Sequence, residues 1–382
     1  MDHAATTPVA GEVLEAMKPY FSRMFGNASS IHGFGQEARK ALEESRVAAA
    51  GLIGAQPDEI IFTSGGTESD NLAIRGAAMA ARENGRKHII TSSIEHDAVL
   101  ETCRQLQSHD FEVTYVSVDK NGLVNPADVE KSIRKDTCLV TIMHANNEIG
   151  TIQPVAEIGS ICRRSGVLFH TDAVQAFGKV AIDVKKMNID LLSASAHKLY
   201  GPKGVGCLYA RSGTRLQPQN MGGGHEQGRR SGTENIAGIV GFAKACALAR
   251  RDMRKWASRE AKLRDALVRG LLRIPGSRLN GHPTKRLANN VNVAFSGIEG
   301  ESMVVHLDVK GVAASTGSAC SSKSLEPSHV LLAIGLKPAE AHGSLRLTLG
   351  KDNKKDEVEY VIRVLPGIVE KLRKISPFGS DK

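Results

Sequence analysis

From about residue 35 to residue 255, runs with the spacing of amphipathic helices alternate with short apolar runs. That alternation admits little besides an α/β domain built round a largely parallel sheet. Ala38, Leu42, Ala49 and Leu52/Ile53 line one face of the first helix. Strands are predicted at 88–92, 112–118, 139–143, 167–170, 191–195 and 205–210, with Ile60-Ile61-Phe62 as a further apolar run. Several of these runs end in polar clusters: Glu95-His96, Asn146-Asn147-Glu148, Thr171-Asp172 and His197-Lys198. Open α/β sheets bind their ligands outside the carboxyl ends of the strands, so the clusters are expected to converge on one site.

A charged helix starting at Trp256, with Leu263, Leu267 and Leu271 on its apolar side, is predicted to lead out of this domain. A smaller α+β unit follows, with strands at 290–295 and 345–349 and a last helix that Pro366-Gly367 should kink or split. The expected division is a large domain of residues 8–255 and a small one of 1–7 with 256–382. At 382 residues and 41% apolar composition the chain can bury two cores. Its net charge of +9 comes with only 4% aromatics and no basic run interleaved with stacking residues. That balance fits anionic ligands or an acidic protein partner rather than nucleic acid. No apolar stretch approaches twenty residues and the opening lacks the regions of a signal peptide, so no membrane association and a cytoplasmic location are expected. The six cysteines (103, 138, 162, 207, 246 and 320) follow neither a disulfide framework nor a zinc-ligand spacing.

Lys198 ends an apolar strand-like run just before Gly201-Pro202. An amine that is to form a Schiff base must shed its proton near neutral pH from a fixed position, which a strand end beside a tight turn provides. Ser195 and His197 can add donors for a phosphate. The run Ser64-Gly65-Gly66-Thr67-Glu68-Ser69 follows an apolar strand and precedes a helical stretch, so bare amides would face an anion there, although Gly-Gly-Thr is also an ordinary turn. Asp172 is either a capping aspartate or the partner that keeps a pyridine nitrogen protonated. Gln175 can donate to a phenolic oxygen, and His96 can stack on a planar cofactor or shuttle protons. Lysine, aspartate and anion cradle together describe pyridoxal phosphate.

Cys320 lies in Ala314-Ser315-Thr316-Gly317-Ser318-Ala319-Cys320-Ser321-Ser322-Lys323-Ser324, small polar residues with little to bury. A mobile, exposed loop is expected, with Lys323 favouring the reactive thiolate. Arg346, in an alternating strand, can clamp a substrate carboxylate bidentately or form a surface ion pair.

Taken together the chain resembles the NifS/IscS-type cysteine desulfurases, in the class V aminotransferase group of pyridoxal-phosphate enzymes. The likeness runs from Asp2-His3-Ala4-Ala5-Thr6-Thr7-Pro8 through Gly26-Asn27-Ala28-Ser29-Ser30-Ile31-His32, the Gly65-Gly66 cradle, Glu95-His96, residues 144–150, Asp172 to Gln175, the Lys198 motif, Gly222 to Glu226 and Arg230-Ser231-Gly232-Thr233 to the Cys320 loop. The resemblance implies fold type I, the PLP-dependent transferase fold, with a mostly parallel mixed sheet in the large domain. It implies that Lys198 holds the cofactor covalently, that Gly66, Thr67, Ser195 and His197 bind its phosphate, and that Asp172 pairs with the ring nitrogen. Gln175 would meet the ring hydroxyl, His96 would stack on the ring, and Asn147 and Arg346 would hold the carboxylate of substrate L-cysteine. Thr233 would reach the phosphate of a second subunit, making the enzyme a homodimer.

The implied reaction turns L-cysteine into L-alanine and leaves the sulfur as a persulfide on Cys320. The loop is of the long kind, as in the branch that feeds iron–sulfur scaffolds, so an IscU/NifU-like scaffold is the expected partner. Cys320 would then also be the residue able to share a transient [2Fe-2S] cluster. A selenocysteine lyase or an aminotransferase on the same fold is the rival reading. Two features depart from the family. The chain opens at the Asp2 motif without the apolar residues that usually precede it, leaving an N-terminal strand in question, and Pro366 falls where the family has an unbroken helix.

Overall fold

Seven strands make the larger sheet: β1 (Ile60–Thr63), β2 (His88–Ser92), β3 (Glu112–Val116), β4 (Thr137–Thr141), β5 (Leu168–Asp172), β6 (Leu191–Ser195) and β7 (Gly206–Ala210). Their spatial order in the computed structural model, which describes residues 1–316 and 326–376, is β1-β7-β6-β5-β4-β2-β3. Pairings β2–β3, β2–β4, β4–β5 and β5–β6 are parallel, whereas β7 runs antiparallel to both β6 and β1. The sheet is therefore mixed and mostly parallel, as expected.

Helices cover both faces, which is why β2, β4, β6 and β7 are buried at every position and carry runs of apolar and small residues instead of alternating ones. On one face Gly33–Ile53 packs beside Ile236–Leu271, and on the other Gly66–Arg82 packs beside Asp97–Gln107. Gly54, at φ +73°, closes the first of these helices in the left-handed conformation that a glycine adopts without strain.

The charged helix does not begin at Trp256. It starts at Ile236, where the Asn235 side chain accepts from the Gly238 amide (3.0 Å), and continues for 36 residues. Its first half is buried among Ile239, Phe242 and Ala245, and its second half carries Leu267 and Leu271 into a separate apolar cluster. That cluster is built on the antiparallel sheet β10-β9-β8, formed by β8 (Ser277–Leu279), β9 (Asn290–Phe295) and β10 (Ser344–Thr348).

The last helix, Lys355–Ile375, runs through Pro366 without splitting. The proline removes one backbone hydrogen bond, but Val358, Val361 and Leu365 before it and Ile368, Val369 and Leu372 after it are all buried in the same cluster. Burying six such side chains outweighs the ~3 kcal/mol that an interior proline costs. Among the described residues no helix is long and apolar enough to cross a membrane.

The N-terminal segment joins the two sheets. Asp2 bridges Thr348 of β10 in parallel, the Ala4 amide donates to Thr348 Oγ1 (2.8 Å), and the Thr7 amide donates to the His197 carbonyl just beyond β6 (2.9 Å). Residues 2–7 thus lie across the carboxyl ends of the central strands.

Candidate active site

A cavity of about 360 Å³ opens at those strand ends. Gly66, Thr67, Ser195 and His197 line one part of it, His96, Asp172, Gln175 and Lys198 another, and Asn147 and Arg346 the far side. Thr233 is exposed and does not line it. Cys320 lies outside the described residues.

Gly66 opens helix Gly66–Arg82, and Gly65 before it sits at φ +155°, a conformation costly for any other residue. A Cβ on Gly66 would come within 2.6 Å of Val174 Cγ2, so this approach to the helix N-terminus exists only because the side chain is absent. Glu68 of the same turn accepts from Arg230 Nε (2.8 Å) and from the Ser64 amide (2.8 Å), fastening the segment that carries Thr233 to the cradle. His197 Nδ1 lies 3.1 Å from Thr6 Oγ1, and burial together with Lys198, Lys203 and Lys179 holds its imidazole down at about 4. It is therefore neutral at pH 7 and has one N–H to give.

Lys198 follows β6 in a short 3-10 turn, and its amine donates to the carbonyls of Ala4 (2.6 Å) and Ala5 (2.7 Å). His96 caps helix Asp97–Gln107, with Nδ1 accepting from the Ala98 amide (3.1 Å), so the neutral ring carries its proton on Nε2. Asp172 ends β5 and accepts from the Val174 amide (2.8 Å). Burial pushes its carboxyl up, while His96, the Val174 amide and Lys198 pull it down.

Three buried carboxyls not given a role by the sequence line the same cavity: Asp70, Glu95 and Glu148. Burial and then the charge of Asp172 drive Asp70 well above its usual range, against a hydrogen bond with Ser193. His170 Nε2 lies 3.7 Å from Asp70 Oδ1, but burial holds that imidazole at about 3, so the ring is neutral and the contact is not an ion pair. Glu95, pushed up to about 8 by burial, takes the Met143 amide on both oxygens (3.0 Å each) and pairs with Ser92. Glu148 receives Ser328 Oγ at 2.6 Å. Asp70 could have been found from its position one helical turn after Gly66, on the face that fronts the cradle.

Arg346 is 3% exposed. It donates through Nη1 to the Asn147 carbonyl (3.0 Å) and through Nη2 to Asp2 Oδ1 (3.1 Å), and its buried Nε has no hydrogen-bond partner among the described residues. A guanidinium with two of its donors pinned presents its remaining edge in a fixed plane. The described cysteines are of another kind: Cys103, Cys138, Cys162 and Cys207 are pushed up to about 12 by burial and Cys246 is raised further, so none supplies a thiolate.

Comparison with known proteins agrees with this geometry. Residues 1–361 match the family Aminotransferase class-V. The cysteine desulfurase IscS of Methanosarcina thermophila is 57% identical, over 99% of this chain and 93% of that protein. A solved NifS-like protein superposes with a TM-score of 0.91 at 40% identity, covering 97% of this chain and 99% of that one. A second structure, SspA in complex with cysteine, gives 0.81 at 41% identity over 92% of this chain and 98% of that one. Cradle, lysine and aspartate thus sit on the pyridoxal-phosphate enzyme fold expected for them, and the chain belongs to the class V aminotransferases, in their NifS/IscS-type branch.

Proposed function

We propose that the protein is a pyridoxal-phosphate-dependent cysteine desulfurase that converts L-cysteine to L-alanine and passes the sulfur, as a persulfide on Cys320, to an acceptor for iron–sulfur cluster assembly. The observation that carries this reading is the convergence of Lys198, Asp172 and Arg346 on one cavity. The residues fit the cofactor. Gly66 leaves the room a Cβ would fill, Thr67, Ser195 and His197 line the same cavity as donors, and Asp172 supplies a buried acid there for a ring nitrogen. When bound, pyridoxal phosphate supplies an electron sink for the pair released at the substrate's Cα.

Each protein group then has a task. Arg346 and Asn147 hold the substrate carboxylate, which orients its Cα–H bond. Lys198 Nζ, once released, takes the proton from that carbon. Asp172 would hold a proton at the cofactor's ring nitrogen, and His96 can offer its own at Nε2. The Cys320 thiolate attacks the substrate sulfur: the Cβ–S bond breaks, an S–S bond forms, and Cβ gains a proton to give alanine, so the exchange is redox-neutral overall. With the five described cysteines buried and protonated, Cys320 is the thiol left for this step.

The remaining parts of the reading rest on separate support. Phe21, Phe25, Ile31, Phe34 and Met221 are exposed apolar side chains, as a homodimer interface requires, and Thr233 stands free of its own cavity, where it can serve a second subunit's phosphate site. The apolar cluster on the three-stranded sheet, separate from those on the seven-stranded one, supports the division into 8–255 and 1–7 with 256–382, and a further cluster joins the two units through Ile94, Met143 and Ile149 against Ala294 and Val330. Free buried cysteines suit the reducing cytoplasm. An IscU/NifU-like scaffold as acceptor, and a transient [2Fe-2S] cluster shared at Cys320, belong to the same proposal.

The test is alanine released per cysteine consumed, together with the mass of the peptide containing Cys320. One alanine per cysteine and a gain of one sulfur atom are expected; a keto acid with no added sulfur would sink the reading. Arg346→Lys is expected to raise KM for L-cysteine by about 10- to 100-fold with a smaller change in kcat, the equivalent of one charge-assisted hydrogen bond of about 1.5–3 kcal/mol. Steady-state kinetics on L-cysteine measures it.

A further inference from the structure

Behind the cavity lies a lysine that the reaction as described does not use. Lys179 follows Gln175 by four residues, so the turn-rich segment after β5 sets both side chains on one side, and Gly178 (φ +73°) pins that turn where a Cβ would strike Leu199. Lys179 Nζ donates to Gln175 Oε1 at 3.2 Å. Gln175 Nε2 in turn donates to the Ala4 carbonyl at 3.0 Å.

Both partners demand the same orientation of the amide. An ammonium can only donate, so it must meet the oxygen; a carbonyl can only accept, so it must meet the NH₂ group. The two anchors are not equivalent. Ala4 O also receives Lys198 Nζ at 2.6 Å, so it is shared with the amine that has to move during the reaction. Lys179 is the anchor that the reaction leaves in place.

We propose that Lys179 is a positioning residue: it fixes the Gln175 amide with its NH₂ group toward the cavity, so that a donor, never the amide oxygen, meets the hydroxyl of bound pyridoxal phosphate. The inference rests on the cofactor assignment above. A donor at that hydroxyl favours its ionised form and so lowers the affinity of the hydroxyl and the adjoining nitrogen for their shared proton. The charge of Lys179 acts in the same direction.

The surroundings of Lys179 are themselves ionisable. Lys198, Arg346 and His197 act on it from the cavity side, while His3 and, from helix Ile236–Leu271, Glu260 share with it a pocket of about 20 Å³. Burial, with Lys198 adding to it, brings Lys179 down to about 8, which leaves it charged at neutral pH.

The experiment is a pH titration of the visible absorption band of the bound cofactor in the holoenzyme, at equal cofactor content, for the unaltered protein, Lys179→Met, Gln175→Leu and the double variant. Lys179→Met and Gln175→Leu are each expected to raise the midpoint by about one unit. Adding Lys179→Met to Gln175→Leu is expected to move it by less than half as much as Lys179→Met alone. An unmoved midpoint in Lys179→Met, or an equal shift in both backgrounds, overturns the proposal. Should Lys179→Met fail to fold, Lys179→Arg, which keeps a cationic donor, is expected to stay near the unaltered midpoint, and a full shift there overturns it as well. If the unaltered protein takes up no cofactor and borohydride adds none at Lys198, it is the functional reading that has failed, and the two results are told apart.

Discussion

Replacing Lys198 by alanine is expected to give a folded protein that still takes up pyridoxal phosphate but releases alanine from L-cysteine about 10³- to 10⁴-fold more slowly, the range of a lost general base. Uptake survives because the cradle at Gly65-Gly66 and the donors of Thr67, Ser195 and His197 are set by helix Gly66–Arg82 and the end of β6, not by the lysine. Turnover fails because no other amine lines the cavity among the described residues: Lys179 lies behind Gln175, with its amine on the amide oxygen. Folding loses the donations to Ala4 O and Ala5 O, about 1 kcal/mol apiece. The measurements are alanine release and the mass added by borohydride at position 198, which should vanish. A variant within tenfold of the original rate would mean that Lys198 is not the base.

Cys320→Ser is expected to lower alanine release by about 10³-fold or more and to abolish sulfur transfer, since loss of a nucleophile is among the costliest single changes in an enzyme. A serine hydroxyl is almost wholly protonated at neutral pH, whereas a free cysteine thiol is in part thiolate. The visible spectrum of the bound cofactor and the KM for L-cysteine should change little, because the cavity residues are untouched. An aminotransferase would be indifferent to this substitution. A selenocysteine lyase would show itself when L-selenocysteine and L-cysteine are assayed side by side. Undiminished alanine from the serine variant would remove Cys320 from the mechanism.

Much of this architecture could be read from the chain alone, for definite reasons. Strands β2, β6 and β9 fall on the residues expected, since a strand covered on both faces shows as an apolar or small-residue run bounded by turn residues. β8 was not foreseen: it has three residues, with Arg278 exposed at the sheet edge, and gives no periodic signal. The start of the long helix escaped because Ile236 to Ala249 is apolar nearly all round. A stripe becomes visible only near Trp256, where one side meets water. The rule that ligands lie outside strand ends accounts for His96, Asn147, Asp172, His197 and Lys198 at one cavity, while Arg346, on the other sheet, was expected there only from the family resemblance. Ala4 and Ala5 act through backbone carbonyls, which no side-chain pattern announces. Lys179 reads as a solvent-facing cation until the turn after β5 is seen to fold it under Gln175.

The segment at residues 2–7 has a consequence for biosynthesis. The Ala4 amide meets Thr348 Oγ1 across 344 positions of chain, and Arg346 reaches back as far to Asp2. A contact of such span forms after the local helices and the parallel strands, because the loop it closes is 344 residues long. A nascent chain emerging from the ribosome therefore carries Lys198 long before it carries Arg346, and Asp2 meets that arginine only after both segments are made. Until then Lys198 can lean on Ala4 and Ala5, which are made before it, but the cavity lacks its guanidinium, so an incomplete product has an amine without a grip for a carboxylate.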